Sequence, residues 1–292
     1  MHQFFIPVKQ HFSFQATVYS HGWADLSPFN TDREKHELTY ACQLSTGRVV
    51  EFKSQADSTG ILINIEKKPA KSDLDELTEK VRRIFRVDED FSGLNKLIQK
   101  HPETRWIAKK RAGRLLRCAS LWEDMVKMLC TTNCTWHLTK LMVNNLVTKA
   151  GDGKSFPTPE QIYRYDENFL RNTVKMGYRS PYLLGMAKDI TEGRIDLLNW
   201  ENWTGTTSDL YKEMRKVKGL GEYAVSNLLK LLGRYDYLGI DSWGRRKFAD
   251  VYHNGSTVTD KQIISFYNRF GSWSGLIFLL DLTQDIYDSV DK

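Results

Sequence analysis

The hydrophobic and polar positions change period once along the chain. In the first 66 residues they alternate. Phe12, Phe14, Ala16 and Val18 stand against polar neighbours, and Leu38, Tyr40, Cys42 and Leu44 share one face. A period of two belongs to a strand with one buried side. Extended segments are therefore expected at FSFQATVYS, at HELTYACQLSTGRVVEFKS with a turn near Thr46-Gly47, and at GILINIE, together a small antiparallel sheet. From Asp73 the period lengthens, and Leu74, Leu77, Val81 and Phe85 fall in helical register. Helical patterns follow at 90–100, 119–149, 159–175, 180–192, 208–217, 222–232, 242–252, 260–269 and 273–286, joined by short connectors. The charged stretch Lys67 to Asp73, with Pro69 and a Ser/Asp cap, marks a boundary. The expectation is a mostly α protein: a β-rich N-terminal domain over 1–72 and a helical domain over 73–292.

Composition narrows the class. Of 292 residues, 41% are hydrophobic and 27% charged, enough for a packed core and unlike a disordered chain. Lys and Arg number 42 against 36 Asp and Glu, a net charge of +6. Residues 1–72 hold 8 basic and 7 acidic residues, so the excess lies in the helical part. Arg105, Lys109, Lys110, Arg111, Arg114 and Arg117 concentrate it further. That run suits a polyanion-facing surface or a solvated helix face with Trp106, Leu115 and Leu116 turned inward. Four cysteines are too few for a disulfide scaffold. Residues 2–11 lack a signal-peptide pattern, and no run of 18 apolar residues exists. A soluble, intracellular protein without a membrane partner is expected, in the cytoplasm or nucleoid of a bacterium or the nucleus of a eukaryote.

The most informative stretch runs from Ser208 to Asp250. A helix meets the tight turn Lys218-Gly219-Leu220-Gly221, and a second helix starts at Glu222. Glycine permits backbone angles closed to other residues, and free N–H groups at a helix start can hold a phosphate oxygen. Lys212, Arg215, Lys216 and Lys218 add positive charge. The same string fits a dinucleotide-binding fingerprint, but that needs an apolar strand upstream, and LYKEMRKVK is charged and helical. A plain turn between two helices is the simpler alternative. Asp241 lies 20 positions after Gly221, at the start of another helix, where Asp is also a favoured cap.

Gly-x-Gly between two helices, followed by a loop and this aspartate, resembles the helix–hairpin–helix DNA glycosylase superfamily. Residues 113–147 are similar to the helix opening the substrate cleft in its alkyladenine and 8-oxoguanine branches. Residues 156–190 resemble their segment with a Gly-Tyr-Arg loop, and NRFGSWSGLIFLLDL their closing helix. The β-rich start is placed like their extra N-terminal domain. The resemblance covers residues 74–285 and implies a two-part helical body that flips a damaged nucleotide out of duplex DNA and hydrolyses its base–sugar bond.

Residue by residue, the resemblance implies that Asp241 is the catalytic carboxylate, stabilising positive charge on the sugar and orienting water. Gly219 and Gly221 would bind phosphate through their amides, with Lys218 beside them. Asn133 would fill the gap left by flipping, Tyr178 would wedge at the opposite side, and Arg179 would lie near the orphaned base. Asn133 also reads as a helix cap and Tyr178 as a turn aromatic. Bifunctional members carry a lysine two positions after the second hairpin glycine, where this chain has Tyr223, so a water-using enzyme without efficient lyase activity is implied. Tyr223, Trp136 and Trp243 would line the base pocket, or serve as ordinary core aromatics. Some branches hold a four-cysteine iron–sulfur cluster after the aspartate. No cysteine follows Cys134, so no cofactor is expected.

The implied partner is double-stranded DNA with a damaged base, bound by a monomer. An aromatic pocket favours a cationic alkylated purine such as 3-methyladenine, whereas Asn133 and Gly-Tyr-Arg lean toward 8-oxoguanine. A DNA-binding protein without chemistry, and a lyase using Lys247, are further readings. Cys130, Cys134 and His137, spaced as one helix face, suit zinc less well than core packing, for a fourth ligand is missing. GSWSG has Trp273 where a nucleophile elbow needs serine.

Overall fold

Alternation produces strands where one face can be buried. The computed structural model describes residues 1–8 and 12–288, so Lys9, Gln10 and His11 of the mixed N-terminal stretch lie outside the described residues. Strands β1 (His2–Pro7), β2 (Asn30–Asp32), β3 (Glu37–Gln43), β4 (Val49–Asp57) and β5 (Gly60–Ile65) form one antiparallel sheet in the order β1-β5-β4-β3-β2. Tyr40 pairs with Phe52, and Phe52 with Ile65. Leu38, Tyr40, Val50, Phe52, Ile61, Ile63 and Ile65 are buried. The turn at Thr46-Gly47 falls where the sequence places it, with Gly47 at φ +81°.

The expected strand over residues 12–20 is a correction. It is a short helix, α1 (Phe14–Val18), capped by Ser13, whose Oγ accepts from the Ala16 amide at 3.1 Å. Phe14, Ala16, Thr17 and Val18 are all buried, so the alternation did not mark one face.

The remaining helices are α2 (Lys71–Phe85), α3 (Ser92–Gln99), α4 (Arg105–Lys110), α5 (Leu121–Thr131), α6 (Trp136–Asn145), α7 (Pro159–Tyr163), α8 (Glu167–Asn172), α9 (Ser180–Thr191) and α10 (Leu197–Glu201). They continue with α11 (Thr207–Arg215), α12 (Glu222–Leu231), α13 (Ser242–Tyr252), α14 (Asp260–Tyr267), α15 (Ser274–Leu282) and α16 (Gln284–Asp288). The single helix expected over 119–149 is two helices. Thr132 ends α5, Asn133 turns left-handed at φ +46°, and the Thr135 side chain caps α6. The basic run is divided too: α4 stops at Lys110, with Arg111 left-handed at φ +51°. Arg114 is buried, its guanidinium 4.5 Å over the Phe91 ring, and Arg117 pairs with Glu201 at 3.1 Å. Leu115 and Leu116 are buried, but in an extended segment after α4 rather than on a helix, so the solvated-helix-face reading fails beyond Lys110.

A buried polar cluster ties the first 65 residues to α5. Trp23 Nε1 donates to Asp124 Oδ1 at 2.9 Å, the Tyr40 hydroxyl donates to Glu123, and Lys127 pairs with Glu123 at 2.8 Å. Arg83 reaches Asp124 at 3.1 Å from α2. His21 sits beside this cluster. Burial pushes its imidazole down to about 4, with the Asp124 charge pulling back. Its Nδ1 meets Ser20 Oγ at 2.9 Å, while Nε2 is buried without a hydrogen-bond partner among the described residues. An unfolded histidine protonates near pH 6.5, so between that value and about 4 the unfolded chain holds the extra proton. Stability is therefore expected to fall with falling pH across this window, by about 3 kcal/mol from His21. Urea unfolding at several pH values should show that component in the wild type and not in His21→Gln. Identical pH slopes would contradict it.

Candidate active site and nucleic-acid interface

The turn between α11 and α12 is built from close approach. Gly219 has φ +96°, and a Cβ there would lie 2.7 Å from Tyr182 Cβ and 3.3 Å from Leu129 Cδ1. Glycine alone brings the turn onto α5 and α9. Gly221 is the N-cap of α12, a Cβ there would meet only open space, and no side chain caps the first amides of α12 among the described residues. The segment before the turn is helical, and the strand that a dinucleotide fingerprint requires is not there. Of the four basic residues, Lys212 pairs with Asp209 at 3.1 Å, Lys216 with Glu213 at 2.5 Å, and Arg215 donates to the Leu220 carbonyl at 2.6 Å. Lys218 is exposed and has no partner among the described residues, leaving it free to meet an anion.

Asp241 is the N-cap of α13, and its Oδ1 accepts from the Gly244 amide at 2.6 Å. A side chain at Gly244 would lie 2.9 Å from Phe278 Cζ and 3.1 Å from that same oxygen, so glycine lets α13 settle with the carboxylate in place. The capping role thus holds. Capping engages Oδ1, and no hydrogen bond to Oδ2 occurs among the described residues. Trp243, two residues on, is 50% exposed.

Tyr223 is the second residue of the hairpin helix α12, 39% exposed, with its hydroxyl against Thr131. Burial and then the Asp241 charge push its phenol up, which places hydroxyl and carboxylate in one electrostatic neighbourhood. Next along α5, Thr132 meets the Gly177–Arg179 turn. The Tyr178 hydroxyl lies 3.4 Å from the Thr132 carbonyl, and the ring is 47% exposed. Asn133 projects from the tip of the α5–α6 turn, exposed and without a side-chain partner among the described residues.

Tyr223 lies against Thr131, Tyr178 against the next residue Thr132, and Tyr182 against Gly219, a line of neighbours to which Asp241 is related through its charge on Tyr223. Arg179 belongs to this line differently from the sequence expectation. It is 3% exposed, its guanidinium donates to the Thr132 carbonyl, and it lies 4.5 Å over the Tyr178 ring. It braces Tyr178 and the turn that carries Asn133, and does not reach outward. Trp136 is 37% exposed and its ring covers Gly22, where a Cβ would lie 2.5 Å from Cη2, so it joins α6 to the N-terminal segment. Trp273 of the GSWSG segment stacks on Tyr235 at 5.1 Å, packed against the core.

Cys130 is buried in α5, its thiol pushed up to about 12 by burial, and Cys134 lies beyond the break with its Sγ donating to the Cys130 carbonyl at 3.0 Å. No group of three potential ligands that could hold a metal occurs among the described residues. Lys247, the alternative nucleophile, pairs with Asp285 at 3.8 Å. No helix of the described residues is long and apolar enough to cross a membrane. A recess of about 970 Å³ lies elsewhere, between Phe12–Gln15, the β4–β5 turn and Lys109–Arg111, and contains none of the site residues. Two neighbours escaped the sequence reading. Tyr182 gave no signal, whereas Lys230 interrupts the apolar run Leu228–Leu232.

The sequence model of the HhH-GPD superfamily base excision DNA repair proteins matches residues 126–276, slightly more than half of the chain. A Bacillus subtilis (strain 168) protein named "Putative DNA-3-methyladenine glycosylase YfjP" is 23% identical over 219 residues, 72% of this chain and 74% of that protein. Among solved structures, MBOgg1 in complex with a low-affinity DNA ligand superposes with a TM-score of 0.76 at 22% identity, covering 99% of this chain and 96% of that one. The 3-methyladenine DNA-glycosylase from Archaeoglobus fulgidus has the same TM-score at 18% identity, covering 98% of each chain. Both likenesses show the fold.

Proposed function

This chain belongs to the HhH-GPD superfamily of base excision DNA repair proteins and is a DNA glycosylase of that group, and from that premise we propose that it is a monofunctional enzyme that excises an alkylated purine such as 3-methyladenine from double-stranded DNA. The observation that carries the reading is an Asp241 carboxylate with one oxygen outside the cap, whose charge acts on Tyr223. The carboxylate stands at the start of α13, and a tyrosine stands in the hairpin helix where a bifunctional enzyme would carry its lysine.

In this reading the uncapped amides of α12 and the free Lys218 hold a phosphate. The exposed Asn133 and Tyr178 enter the gap and wedge the stack, with Arg179 fixing both from inside the protein. The flipped base lies against Tyr223 and Trp243, whose electron-rich faces attract a cationic purine, while Trp136, expected from the sequence to join them, packs on Gly22 instead. As the base departs, positive charge grows on the sugar and Asp241 stabilises it, while an oxygen not engaged in capping can orient water. A second reading, removal of 8-oxoguanine, draws on the Asn133 and Gly177-Tyr178-Arg179 arrangement.

A panel of duplexes with single lesions separates these readings. Release of alkylated purine, with strand cleavage only after alkali, is the expected result. Release of 8-oxoguanine alone would favour the second reading, and no release from any duplex would contradict both.

A further inference from the structure

Lys230 is buried in α12, on the side where the loop from Leu232 to Ile240 returns toward Asp241. Its Nζ donates to the Leu238 carbonyl at 2.9 Å and to the Ser226 carbonyl at 3.3 Å. Gly239, at φ +65°, lies so close that a Cβ there would be 2.2 Å from Ser226 Cβ and 3.4 Å from Lys230 Nζ. We infer that Lys230 is a positioning residue for base excision, its amine fastening the loop that carries Asp241 onto the helix that begins at the phosphate-binding turn. The inference rests on the proposed role of Asp241.

The donor count favours an amine over an ammonium. A neutral amine has two N–H groups, and both find carbonyls here, whereas an ammonium needs a third acceptor. Burial accordingly pushes Lys230 down to about 7, and the Asp241 charge pulls the other way. Asp241 is the charged group acting on it. Arg86 and Glu89, behind the Leu231 carbonyl, pair with each other, and Glu222 lies at the far end of α12, in reach of the Tyr237 hydroxyl at 3.5 Å. A neutral Lys230 positions the carboxylate without setting a second cation near the charge that develops on the sugar.

The test uses the whole 292-residue chain and a duplex bearing one alkylated purine. Wild-type single-turnover excision should rise with pH through about 7 as Lys230 loses its proton. Lys230→Met should be about 10-fold slower, lack that pH limb, and bind duplex containing an abasic-site analogue within about threefold of wild type. Lys230→Met with wild-type rate and pH profile would overturn the inference. NMR titration of the Lys230 amine in wild type and Asp241→Asn keeps the test independent of both activity and the folding of Lys230→Met. The midpoint should drop when the Asp241 charge is removed, and an unchanged midpoint overturns the inference. Normal excision by Asp241→Asn would instead defeat the reading of Asp241 itself, with the titration still reporting on Lys230.

Discussion

Asp241→Asn is expected to slow single-turnover base release by about 10²–10³-fold while leaving DNA affinity and thermal stability close to wild type. Asparagine keeps the shape of the side chain, and its Oδ1 can still accept the Gly244 amide that caps α13. What it removes is the negative charge beside the departing base. The loss should therefore appear in the rate of the chemical step and not in binding. Quenched single-turnover assays, with affinity measured on a duplex carrying an abasic-site analogue, check both halves. Excision near the wild-type rate would sink the role assigned to this carboxylate.

The second large effect concerns stability. Asp124→Asn is expected to cost about 3–5 kcal/mol, because it breaks a fully buried charge network from one side. Asp124 Oδ1 accepts from Trp23 Nε1 and from the Cys118 amide, each at 2.9 Å, and Oδ2 faces Arg83 at 3.1 Å. Asparagine can retain the first two bonds, but its amide nitrogen then turns a donor toward the guanidinium. Burial pushes the Asp124 carboxyl up, but Arg83 and Arg117, with the hydrogen bonds from Cys118 and Trp23, hold it below the usual carboxylate range. Its contribution is present above the unfolded carboxylate pKa and is lost as pH falls through the folded value. Denaturant titration at neutral pH should show the full difference between the two proteins, narrowing in acid. A difference below about 1 kcal/mol at neutral pH would contradict the network's role.

Some of this was legible in the sequence because the physics is local. Leu38, Tyr40 and Cys42 alternate along a strand with one buried face, and Leu77 and Val81 repeat along a helix for the same reason. The hairpin was legible because glycine at Gly219 has a local cause. Other features have non-local causes. Phe14, Ala16 and Val18 alternate in a helix that is buried almost all round, so periodicity carried no information about its face. The break at Thr132 interrupts a continuously apolar pattern through a left-handed Asn133 and a Thr135 cap, which spacing alone does not mark. Arg179 looks like a surface cation until its guanidinium is seen against the Thr132 carbonyl. That Tyr223 would share a neighbourhood with Asp241 followed only from the family resemblance, because 17 residues of helix and loop lie between them. The buried setting of Lys230 likewise depends on where that loop returns.

The central claim is hydrolysis by water directed by Asp241, without a covalent enzyme–DNA bond. Borohydride trapping during excision of an alkylated purine tests it most directly. Free base, an intact abasic strand that alkali cleaves, and no trapped adduct are expected. A borohydride-stabilised protein–DNA adduct formed with the damaged strand would contradict it.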